Sequence, residues 1–130
     1  MIEITAALIS AGFLIALSQG FKKYIPHRLA ASTILIAIAF IYVGFALQGN
    51  TASSATMEII AAVVFYIIAV TGYLKYEKLL PAGIILHGVW DIAHHLGFSE
   101  TRIPDYYPVF CLSIDFVIGI YFWIIFSRRK

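Results

Sequence analysis

Apolar positions along this chain gather into five blocks, at about residues 4–19, 29–47, 58–74, 79–98 and 109–126. Each block approaches the roughly 20 residues a helix needs to cross a hydrocarbon core. A soluble fold of this size would struggle to cover so much apolar surface. The pattern predicts an all-α, polytopic membrane bundle of five transmembrane helices forming one domain over residues 1–130. Short polar stretches separate the blocks. The stretch Gly20 to Arg28 is basic, Gln48 to Thr56 carries no charge, Lys75 to Lys78 is a tight connector, and Ser99 to Pro108 holds Glu100, Arg102 and Asp105. Glu58 is expected in the first turn of the third helix, where the helix dipole favours an acid.

Composition agrees with the blocks: 62% of the 130 residues are hydrophobic and 12% charged, against about 25% charged in an ordinary soluble domain. The net charge of +2 is too small to point to nucleic acid. The basic residues mark topology instead. With the amino terminus outside, Lys22, Lys23, Arg28, Lys75, Lys78, Arg128, Arg129 and Lys130 fall on the cytoplasmic side and Arg102 alone falls outside, as the positive-inside rule requires. The expected setting is the inner cell membrane, with the carboxyl terminus cytoplasmic. Tyr106 and Tyr107 at one boundary and Tyr73, Tyr76 and Tyr24 at the other suit the aromatic belts. No basic residue precedes the first block, which reads as a retained span rather than a cleaved signal. Alanines such as Ala7, Ala11, Ala31 and Ala39 permit close helix packing in lipid. A five-helix bundle is thin, so membrane lipids, a homo-oligomer or a larger membrane complex are the expected partners. The single Cys111 excludes an internal disulfide.

The chemistry concentrates in His87-Gly88-Val89-Trp90-Asp91-Ile92-Ala93-His94-His95, within the fourth block. On a helix at about 100° per residue, His87, Asp91 and His94 fall within roughly 60° of one another. The antiparallel fifth block carries Asp115 at a depth expected to match Asp91 and His94, in the outer half of the bilayer. A charge at mid-membrane costs about 2.5–3.5 kcal/mol on insertion scales, so both aspartates are expected to face the interior. Three readings stand side by side. His87, Asp91, His94 and Asp115 are suited to bind a divalent metal such as Zn or Fe, with His95, Trp90, Glu58 and Cys111 as groups supporting the ligands from behind or as alternative ligands. A small metal-dependent enzyme acting on a lipid or other apolar substrate would follow. The same groups also fit a proton relay. Finally, they fit a structural hydrogen-bonded cluster in a non-catalytic accessory or assembly subunit. Haem is less favoured, because all three histidines of this block lie on one helix. His27 reads as an interfacial loop residue.

The chain resembles a family of small integral membrane proteins of unassigned function, grouped as a domain of unknown function. The resemblance is carried by Pro26-His27-Arg28, by Leu86 to Leu96 with its His-x-x-Trp-Asp-x-x-His-His core, and by Cys111 with Asp115. It implies a multi-pass helical fold and a role for His87, Trp90, Asp91, His94, His95 and Asp115. It implies no reaction.

Overall fold

A computed structural model describes residues 1–128. Arg129 and Lys130, part of the basic tail above, lie outside the described residues. The chain forms α1 (Ile2–Gly20), α2 (His27–Ala46), α3 (Ala52–Leu74), α4 (Leu79–His95) and α5 (Tyr107–Ser127), with no strand among the described residues. Four of these, α1, α2, α3 and α5, are long and apolar enough to cross a membrane. The fourth apolar block forms a shorter helix of 17 residues.

Two boundaries differ from expectation for identifiable reasons. Helix α3 begins at Ala52 rather than near Glu58, because Thr51 caps it: Thr51 Oγ1 accepts from the Ser54 amide at 3.2 Å, satisfying a donor that a helix start leaves open. Glu58 therefore lies well inside α3, not in its first turn. Helix α4 ends at His95 rather than Phe98. Gly97, at φ 76°, turns the chain, while the Gly97 amide bonds to the His94 carbonyl and the Phe98 amide to the Ala93 carbonyl, each at 3.0 Å. This is the glycine-terminated Schellman arrangement.

Each of α2 to α5 buries one stripe at helical spacing. In α3 the stripe is Ser54, Glu58, Ala62, Phe65, Ala69 and Gly72; in α5 it is Cys111, Asp115, Ile118, Phe122 and Phe126. The opposite faces leave Ile60, Ile67, Leu86 and Ile120 at least half exposed, apolar surface that water would not tolerate over such an area. Helix α4 is central. It packs on α5, α3 and α2, while α2 also packs on α3 and α1 packs on α5.

Glycines set the closest approach of α4 to α5. A Cβ on Gly119 would stand 2.5 Å from Ile85 Cγ1, and one on Gly88 would stand 3.3 Å from Asp115 Cβ. The end of α1 is pinned by Gln19 Nε2 donating to Tyr121 Oη at 2.7 Å and by a Ser18–His27 hydrogen bond of 3.0 Å. His27, expected in a loop, is instead the first residue of α2 and is buried: the preceding Pro26 suits a helix entrance, and the ring fills the gap between α1 and α5 against Tyr121 and Phe122.

Candidate metal centre

The stripe His87, Asp91, His94 is inside, as its spacing predicts, with exposures of 1%, 0% and 7%. Asp115 meets it from α5 one turn lower than expected, level with His87 and Asp91. The glycine at position 88 allows that approach. His87 Nδ1 stands 2.7 Å from Asp115 Oδ2 and 3.8 Å from Asp91 Oδ2. One ligand atom from each of the three residues lies within 4.8 Å of the others.

The remaining atoms of the group are oriented from α2. Tyr42 donates its hydroxyl to Asp91 Oδ1 at 2.6 Å, a length typical of a bond to a charged oxygen. Asp91 Oδ2 is buried and has no hydrogen-bond partner. His87 Nε2 is also buried without a hydrogen-bond partner. Three donors thus converge: one imidazole nitrogen and two carboxylate oxygens. With a neutral ring and both carboxylates ionised the group would carry two negative charges, and among the described residues neither aspartate pairs with a Lys or Arg. A divalent cation would balance that charge, and this donor set could hold a first-row divalent ion.

His94, predicted on the same stripe, is engaged elsewhere. Its Nδ1 contacts the Trp90 carbonyl at 3.0 Å and its Nε2 contacts Glu58 Oε1 at 2.8 Å. Glu58, 1% exposed, is the hub of a second cluster. Its Oε1 also accepts from Ser99 Oγ at 3.0 Å and Thr101 Oγ1 at 2.7 Å, and its Oε2 from Trp90 Nε1 at 3.4 Å. The loop after α4 is thereby tied down onto α3. Tyr42 joins the two clusters, because its ring stacks on His94 at 4.0 Å and 17° while its hydroxyl holds Asp91.

Of the other sequence-predicted residues, His95 is exposed and stands outside both clusters. Trp90 is half-buried and serves Glu58. Cys111 is buried beside Tyr107 and is not one of the converging group. Sequence reasoning missed Tyr42, Ser99 and Thr101. Tyr42 carried one signal: a hydroxyl in the middle of an apolar run must find a partner.

A family model described as "Family of unknown function (DUF6010)" matches residues 2–128. No curated protein and no solved structure matches the chain.

Proposed function

We propose, for a chain that belongs to the DUF6010 family of unknown function, that it sits in a membrane and that His87, Asp91 and Asp115 hold a divalent metal ion there. The observation that carries this reading is the buried, unpartnered Asp91 Oδ2 beside His87 Nδ1 and Asp115 Oδ2. Two carboxylates closed off from water need compensation worth several kcal/mol, and one divalent ion supplies it for both.

The membrane setting includes α4 as a fifth crossing. Helices α3 and α4 are joined by the short stretch 75–78 and α4 and α5 by the loop 96–106. If α3 and α5 cross, α4 must carry the chain back, and its 17 residues rise about 25 Å at 1.5 Å each, close to the hydrocarbon thickness. Lys22, Lys23, Lys75, Lys78 and Arg128 lie just beyond helix ends and Arg28 in the first turn of α2, all on one side. Their distribution supports the amino terminus outside and that side cytoplasmic, in the cell membrane.

Binding is favoured over catalysis. Asp91 and Asp115 are 0% and 1% exposed, so a lipid substrate would reach the ion only if α4 and α5 parted. A second reading has its own observation. The His87–Asp115 contact of 2.7 Å is also that of a charged hydrogen bond, and a protonated His87 between two aspartates would make the cluster purely structural, as in an accessory subunit. Elemental analysis of the detergent-purified chain separates the two. The metal reading expects stoichiometric Zn, Mn or Fe, lost in Asp115→Asn with helicity retained. A metal-free chain that stays so after incubation with these ions would leave the structural reading standing alone.

A further inference from the structure

The end of the bundle opposite Glu58 holds a different kind of site. There the start of α2, the α3–α4 connector and the end of α5 line an open cleft of about 410 Å³ formed by Arg28, Lys75, Tyr76, Glu77, Lys78 and Phe126. Three cationic side chains share it with one acid. Glu77 Oε2 stands 3.8 Å from Arg28 Nε, and that Nε is buried without a hydrogen-bond partner. Helix α2 opens here with no side-chain cap and no acid in its first turn, so its positive dipole end adds to the field.

We infer that this cleft binds the phosphate of an acidic phospholipid, with Arg28, Lys75 and Lys78 on the headgroup. Guanidinium and ammonium groups converging on one opening match a phosphate. Phe126 in the wall, with Tyr73 and Leu74 exposed beside the connector, gives the glycerol and first acyl carbons an apolar surface. A basic pocket between helix ends is a known form of headgroup recognition. The site stands apart from the metal reading and shares only the membrane setting with it; a metal-free chain would still show it.

The test is native mass spectrometry of the detergent-solubilised chain titrated with phosphatidylglycerol and with phosphatidylcholine. Phosphatidylglycerol is expected to be retained preferentially. Lys75 and Lys78 are exposed, so the Lys75→Gln/Lys78→Gln variant keeps its fold, which circular dichroism verifies. Its retention of phosphatidylglycerol is expected to fall roughly thirtyfold, at about fivefold for each basic side chain near an anionic lipid, with phosphatidylcholine unaffected. Equal retention of the two lipids, or unchanged phosphatidylglycerol binding in the double variant, would overturn the inference. Displacement of phosphatidylglycerol by millimolar inorganic phosphate would overturn the lipid as occupant in favour of a soluble phosphate.

Discussion

The Tyr42 hydroxyl donates to Asp91 Oδ1 while its ring lies flat on His94, so a single atom can be removed with little change in packing. Tyr42→Phe leaves a buried carboxylate oxygen without its donor, and unfolding in detergent should show a loss of about 1–3 kcal/mol. If Asp91 ligates a metal, the same variant should also weaken metal affinity about 10–100-fold, the usual consequence of losing a group that orients a ligand. Glu58 answers to a different measurement. Glu58→Ala would leave His94, Ser99 and Thr101 without their acceptor, and breaking such a buried pair costs about 3–5 kcal/mol. Hydrogen exchange at Thr101 and Arg102 should quicken markedly while exchange in α2 stays slow. Unchanged exchange in that loop would mean that Glu58 does not anchor it.

These residues also show what the chain discloses before it is folded. His87 and Asp91 are legible, because an i, i+4 pair of polar groups in an apolar helix must face inward. Asp115 is legible because an acid in an apolar helix must also face inward. The separation of His94 from that group is not: spacing places it on the same stripe, but which way its ring turns depends on Glu58, 36 positions earlier. The hub role of Glu58 stayed hidden because Thr51 starts α3 earlier than the apolar run does, and because Ser99 and Thr101 look like ordinary loop residues.

At the scale of elements, the site depends on how closely α4 and α5 approach. Gly119 faces Ile85 and Pro81, and Gly88 faces Phe116 and Asp115. Gly119→Leu would drive α4 and α5 apart at the end away from the loop that joins them. A cost of about 1–3 kcal/mol is typical of overpacking, and the His87–Asp115 contact should open with it. A melting temperature equal to the wild type's would show that the two helices do not pack as described. Helix ends were only partly legible. The Gly97 turn after α4 follows from the glycine's tolerance of positive φ, yet an apolar Phe98 beyond it extends the block past the true end of the helix.

For the whole molecule, the distribution of charge makes a statement about orientation. Cysteine labelling from the two sides of sealed vesicles checks it: Lys23→Cys and Lys75→Cys should react with an impermeant reagent from one side, Glu100→Cys from the other. The native Cys111 is buried and should stay silent. Labelling of Lys75→Cys and Glu100→Cys from the same side would remove α4 as a crossing. The account as a whole rests on the claim that the ion, if bound, is held by His87 rather than by its neighbour one face along the stripe. Metal content measured side by side in His87→Ala and His94→Ala, both verified as helical, tests this most directly. Loss of bound metal in His87→Ala with retention in His94→Ala is the predicted result; retention in His87→Ala, or equal loss in both, would contradict it.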